Sequence, residues 1–213
     1  MLITFEGIDY SGKTTQAKLL HQYFKAKGVK SILIREPGGS KISEKIRDIL
    51  LDHEHLEMLP LTEFLLFSAS RAQLVHQIIK PNLKKKVIVI CDRYYDSSSA
   101  YQGYGGSLDL RKVFEVNDFA TNNLKPDITF FINIRPQTAI SRAKHRGNLL
   151  DRIENKKMSF YRKVYKGFLE IAKNNKKRCV VIDGRKPIKE IHNNIIKFVN
   201  NKLSSRNRRL KRK

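Results

Sequence analysis

The chain has 213 residues, a length that suits one domain with a full core. Hydrophobic residues make up 40% of it and no run approaches about eighteen apolar residues, which points to a globular protein and away from a membrane span. The formal net charge of +23 invites a nucleic-acid partner, but much of the excess is lysine scattered among Asn and Ile, and the densest cluster is the C-terminal run Arg206 to Lys213.

The first apolar run, residues 2–6, reads as a buried strand, and nothing before it resembles a signal peptide. Residues 7–14 then read Gly-Ile-Asp-Tyr-Ser-Gly-Lys-Thr, a match to the phosphate-loop pattern G-x-x-x-x-G-K-[ST] at every fixed position. A helix is predicted over 14–27, with Ala17, Leu20 and Phe24 on one face and Gly28 as its stop. In that context Gly7, Ile8, Asp9, Tyr10, Ser11, Gly12, Lys13, Thr14 and Thr15 would wrap the phosphates of ATP. Lys13 would reach the β- and γ-phosphates, and the Thr14 hydroxyl would ligate Mg²⁺.

A second strand at 31–35 runs into Arg35-Glu36-Pro37-Gly38-Gly39, and helices follow at 41–51 and 61–80. A third strand at 87–91 runs into Asp92-Arg93-Tyr94. The stretch Gly103-Tyr104-Gly105-Gly106 reads as a flexible loop before a helix at 108–122. Beyond it come a strand at 128–134, helices at 136–145 and 158–173, a strand at 179–183 and a helix at 187–201. Strands alternating with helices predict a mostly parallel sheet covered on both faces, with ligands beyond the carboxyl ends of its strands. Cys91 and Cys179 sit at strand ends and read as small buried residues, which suits a reducing cytoplasm. The six histidines form no zinc-like spacing.

Asp92 follows an apolar strand, as an acid that holds Mg²⁺ does; the plainer alternative is a strand-end cap. Arg93 beside it suits the grip of a second phosphate, because a guanidinium meets phosphate oxygens in two places. Arg47 could grip the same group or simply be solvated. Phe67 and Arg71 are four apart and share a helix face, so a base could stack on the ring and bond the guanidinium. On the residues alone the same pair reads first as a core Phe with a snorkelling Arg. Arg142, Lys144, Arg146 and Arg152 crowd around Gly147, where a closing lid would bring positive charge to a transferring phosphoryl group. An exposed charge run is the alternative there.

Together these stretches resemble bacterial thymidylate kinases, from Met1 to about Asn201. The Arg-Glu-Pro-Gly-Gly turn, Asp92-Arg93-Tyr94, Ala100-Tyr101-Gln102-Gly103 and Asp151-Arg152-Ile153-Glu154 carry more of the resemblance than the phosphate loop, which many families share. The resemblance implies a three-layer α/β/α fold with a five-stranded parallel sheet, of the nucleoside-monophosphate-kinase type. It implies transfer of the γ-phosphoryl group of ATP to thymidine monophosphate with Mg²⁺, usually by a homodimer. By position, Asp9 would bind the sugar 3′-hydroxyl and Glu36 would lie near the acceptor phosphate and metal. Phe67 would stack on thymine, Arg71 would donate to its O4, and Arg47 and Arg93 would hold the acceptor phosphate. Ser97, Ser98, Tyr101 and Gln102 would line the nucleoside pocket. Lys13, Arg93, Arg142, Arg146 and Arg152 are the catalytic candidates, with Thr14 and Asp92 for the metal. Tyr10 departs from the family: members with a catalytic arginine in the loop carry it there, and many bacterial members carry a small residue. The chain thus resembles the type whose catalytic arginines lie in a lid, here about 142–154. Residues 1–203 form the expected domain; 204–213 form a basic tail that is expected to be flexible, with at most nonspecific contact to nucleic acid. A phosphate-loop GTPase would carry an Asn-Lys-x-Asp motif, and none is present. Another nucleotide or nucleoside kinase, or a nucleic-acid-binding ATPase, remains the alternative.

Overall fold

Strands and helices alternate along the computed structural model, which describes residues 1–146, 152–154 and 156–210. In chain order, β1 (Leu2–Glu6) leads through the phosphate loop to α1 (Lys13–Ala26), then β2 (Ser31–Arg35), α2 (Lys41–Leu51) and α3 (Pro60–Leu74). A π-helical segment, Val75–Ile79, joins α3 to α4 (Lys80–Lys84), and β3 (Ile88–Asp92) follows. Next are α5 (Tyr95–Ser98), a second π-helical segment (Ser99–Gly105), α6 (Leu110–Thr121), β4 (Ile128–Asn133), α7 (Pro136–Arg146), α8 (Met158–Asn174), β5 (Cys179–Asp183) and α9 (Ile188–Leu210).

The described strands form one parallel sheet in the order β2-β3-β1-β4-β5. The chain moves to one side of β1 for β2 and β3 and to the other for β4 and β5, which leaves a crevice at the carboxyl ends of β1 and β3. Phe5 and Arg35 are both in register with Asp92, so the ends of β1, β2 and β3 are level. Alternation along β1 sends Ile3 and Phe5 to one face, where they meet Leu20 and Phe24 of α1 and Ile195 and Val199 of α9. Leu2 faces the other way, against Leu74, Val75 and Ile79. Apolar packing on both faces accounts for the uninterrupted apolar strands.

Two differences from the sequence reading have local causes. The helix expected over 61–80 carries on through Pro81, because the backbone widens to π geometry at Val75–Ile79. An α-helical turn there would drive the Pro81 ring into the carbonyl four residues back. The loop expected at Gly103–Gly106 is instead mostly helical, since Ser99–Gly105 winds as a π segment against α8. Gly105 packs so close that a Cβ would come within 2.6 Å of Val164 and 2.7 Å of Phe160, so tertiary packing overrides the weak helix propensity of glycine and serine. The last helix also runs beyond the expected 201 to Leu210.

Candidate active site

The phosphate loop takes its shape from two glycines. Gly7 has φ +143°, and a Cβ on it would lie 2.7 Å from the Ile132 carbonyl; Gly12 caps α1 at φ +98°. No side chain caps α1 and its first turn holds no acid, so its terminal N–H groups are left for an anion. Lys13 is 6% exposed, donates to the Ile8 carbonyl at 3.3 Å and lies 3.6 Å from the Asp9 carboxylate. Burial, and then the nearby Arg93 charge, draw the Lys13 ammonium below its ordinary pKa.

Two cavities meet at this loop. One, of about 250 Å³, has Asp9, Phe67, Arg71, Arg93, Tyr101 and Gln102 in its wall. The other, of about 810 Å³, is bordered by Tyr10, Thr15, Arg142, Gly184 and Lys186. Lys13 and Thr14 border both.

Arg93 organises the smaller cavity. Its Nη1 donates to the Gly7 carbonyl at 3.0 Å and to Ser97 Oγ at 2.9 Å, while its Nη2 pairs with Asp9 and reaches Tyr101 Oη at 3.4 Å. The Tyr101 hydroxyl donates to Asp9 at 2.6 Å. Burial alone would raise the Asp9 carboxyl, but Arg93 and Lys13 outweigh it and hold the group well below the usual carboxylate range. Arg93 adopts φ 72°, a left-handed backbone that is costly for a branched-chain-free but bulky residue and that such a bond network can hold. Arg47 reaches the same rim, with Nη1 donating to the Pro37 carbonyl at 2.9 Å.

Arg71 is more occupied than its expected role suggests. It is 1% exposed, and Nε donates to Glu36 at 2.7 Å, Nη1 to Asn117 at 3.1 Å and Nη2 to Ser98 Oγ at 3.0 Å. A fourth, longer contact at 3.5 Å reaches the Tyr94 carbonyl, which leaves one of its five N–H groups for a ligand. Burial raises the Glu36 carboxyl despite Arg71, and its Oε1 is buried with no protein partner.

At the end of β3, Thr14 Oγ1 donates to Asp92 Oδ2 at 2.5 Å, and Asp92 Oδ1 is buried without a partner. A hydroxyl and a carboxylate with a free oxygen are the hard donors that Mg²⁺ takes. Among the described residues no three His, Cys, Asp or Glu groups converge as a metal site, so an ion here would need phosphate oxygens as well.

The candidate lid arginines are not equivalent. Arg142 lies over the phosphate loop, its Nη1 donating to the Tyr10 and Ser11 carbonyls at 3.3 and 3.4 Å and its Nη2 to the Gly184 carbonyl at 2.8 Å. Arg152 is not brought to the phosphate loop. It pairs with Glu63 at 2.7 Å and donates to the Leu50 carbonyl at 3.1 Å, because a buried guanidinium needs a buried acid. The Arg146 side chain, Gly147 and Asp151 lie outside the described residues. Sequence reading missed Glu63, although Glu63, Phe67 and Arg71 recur every four residues on one face of α3. It also missed the link between the Tyr10 hydroxyl and Glu154, at 3.2 Å, for which the sequence holds no signal.

Comparisons with known proteins point to one family. The family model described as thymidylate kinase matches residues 5–195. The thymidylate kinase of Caldanaerobacter subterraneus subsp. tengcongensis is 47% identical over 197 residues, which cover 92% of this chain and 93% of that protein. The one from Exiguobacterium sp. is 44% identical over 203 residues, 95% of each chain. Among solved structures, thymidylate kinase from Ehrlichia chaffeensis superposes with a TM-score of 0.77 at 40% identity, covering 94% of this chain and 98% of that one.

Proposed function

The chain belongs to the thymidylate kinase family, and from that premise we propose how its two cavities carry out the reaction. The enzyme transfers the γ-phosphoryl group of ATP to thymidine monophosphate, giving ADP and thymidine diphosphate. ATP lies across the larger cavity with its triphosphate on the phosphate loop, Gly7 to Thr15, and thymidine monophosphate lies in the smaller one. Lys13 follows the transferring phosphoryl group. Arg93 and Arg47 hold the acceptor phosphate near Glu36. Asp9 and Tyr101 meet the sugar, Phe67 stacks on the base, and the uncommitted N–H of Arg71 reaches its O4. Ser97, Ser98 and Gln102 complete the pocket. Residues 142–154 act as a lid on the domain formed by residues 1–203.

The observation that supports this reading is the shared wall: Lys13 and Thr14 border both cavities, so phosphates bound in the two would meet beside the loop lysine. Positive groups fixed there before the reaction stabilise charge that develops between two anions. Thr14 and Asp92, with its unpartnered buried oxygen, would hold Mg²⁺ together with the phosphates. When bound, the ion neutralises charge on the β- and γ-phosphates.

Two further readings follow from the surface and the cysteines. Leu61 and Leu65 on α3 and Phe114 on α6 are exposed, on two helices that pack against each other, and such exposed apolar side chains suit a homodimer. The free thiols Cys91 and Cys179 suit a cytoplasmic enzyme. ADP formation with thymidine, cytidine and adenosine monophosphates, and with DNA, as added acceptors tests the assignment. Thymidine monophosphate should be far the best. Equal turnover of the cytidine or adenosine compound would leave only a general nucleotide kinase.

A further inference from the structure

Glu63 stands one turn before Phe67 on the face of α3 that borders the acceptor cavity. It is 3% exposed, and both of its oxygens are occupied. Oε1 accepts from Gln102 Nε2 at 3.0 Å, Oε2 pairs with Arg152 at 2.7 Å, and Lys156 Nζ lies 3.4 Å from both. Burial pushes this carboxyl up, but Lys156, the Gln102 amide and Arg152 more than offset that, so the group is held below its ordinary range. A charged carboxylate has no proton to donate. Only the NH₂ end of Gln102 can face it, and the Gln102 oxygen is thereby turned away from Glu63. Gln102 is part of the wall of the acceptor cavity, together with Phe67 and Arg71.

We propose that Glu63 sets the base preference of the enzyme by fixing the amide of Gln102 with its oxygen toward the acceptor, so that a base with a proton on N3 is selected over one with a lone pair there. This rests on the acceptor reading above. Thymine carries that proton and cytosine does not. Glu63 touches no substrate; it is a positioning residue that acts through Gln102. Arg152, expected from the sequence to serve the phosphates, instead helps to keep Glu63 charged, and so ties the lid segment to base selection.

The variant Glu63→Gln tests this with little change in shape. Arg152, which meets Oε2 at 2.7 Å, draws the new carbonyl, the new NH₂ turns to Gln102, and Gln102 must answer with its own oxygen. Its NH₂ then faces the base, the polarity that suits cytosine. The ratio of kcat/KM for thymidine monophosphate to that for cytidine monophosphate should fall at least about tenfold, with KM for ATP near wild type. A purely structural role would depress both acceptors alike and leave the ratio in place. An unchanged ratio in a folded Glu63→Gln protein would overturn the proposal. Should that variant not fold by circular dichroism, the wild-type enzyme decides with 3-methylthymidine monophosphate, which lacks the N3 proton. Turnover at least about tenfold below thymidine monophosphate is expected, and equal turnover would overturn the proposal. Failure of the acceptor reading has a separate signature, a wild-type enzyme with no preference for thymidine over cytidine monophosphate.

Discussion

Glu6 ends β1 on the face opposite the apolar run of Ile3 and Phe5, and it is 1% exposed. Its carboxyl accepts from the Tyr94 N–H at 2.8 Å and from Ser97 Oγ at 2.5 Å; Ser97 in turn accepts from Arg93. Burial, with the charge of Asp96 nearby, raises this carboxyl from 4.5 to about 8. The folded protein therefore holds a proton that the unfolded chain has already lost over that span. Folding stability from this group is present below about 4.5 and is lost as pH rises toward about 8. The buried Glu36 acts in the same sense, and His192, lowered by burial, acts in the opposite one. Comparing wild type with Glu6→Gln cancels both. Thermal unfolding between pH 5 and pH 8 should show wild type losing stability relative to the variant, on the order of a few kcal/mol across the window. Parallel curves would show that Glu6 stays ionised throughout. The residue was invisible as chemistry in the sequence because a single acid after an apolar strand looks like the strand's end.

At the scale of elements, α7 and the segment 152–154 set apart Arg142 and Arg152, which the sequence presents in one basic run. Arg142 is bonded to the phosphate loop and to Gly184, so Arg142→Ala should mainly raise KM for ATP. Arg152 is bound to Glu63, so Arg152→Ala should act on the acceptor side. Arg146, beside Gly147, is the candidate for the transferring phosphoryl group, and Arg146→Ala should lower turnover at least about tenfold with a smaller change in KM for thymidine monophosphate. Turnover and both Michaelis constants for the three variants decide the matter. If all three keep wild-type turnover at saturating ATP, the lid does not carry catalysis in this enzyme. Strand and helix positions were legible because apolar period, Pro136 at the start of α7 and the glycine-shaped phosphate loop act locally. The π segment Ser99–Gly105 was not, because it exists through packing on α8. In the site, motif and strand-end position singled out Lys13 and Arg93, which do line one cavity, whereas Phe67 in the same wall was drawn out by the family resemblance, since its spacing alone reads as core. The partners of Arg71 and Arg152 were not, since the sequence shows that a guanidinium is present but not which acid, a long way along the chain, it will meet.

For the whole molecule the question is what its charge does, since 43 Lys and Arg face 20 Asp and Glu. The described part of the active site draws on residues no later than Lys186 and the first turns of α9. Along α9, Ile191, Ile195 and Val199 are buried and Leu203 packs partly against the same core, after which Ser204 and Ser205 are exposed. Among the residues whose burial is described, Leu203 is thus the last of α9 to pack inward. We expect the run from Ser204 to Lys213 to contribute charge and little packing. Deleting it removes six basic residues and should leave kcat and both Michaelis constants within a few fold. Any binding to DNA should weaken, most visibly at low salt, and the dependence of log affinity on log salt should become shallower because fewer counterions are released. Kinetics and salt-titrated DNA binding on the same two proteins separate the effects. A large loss of turnover on truncation would mean that the tail reaches the active site, and its arginines would then have to be counted among the groups that meet the phosphates.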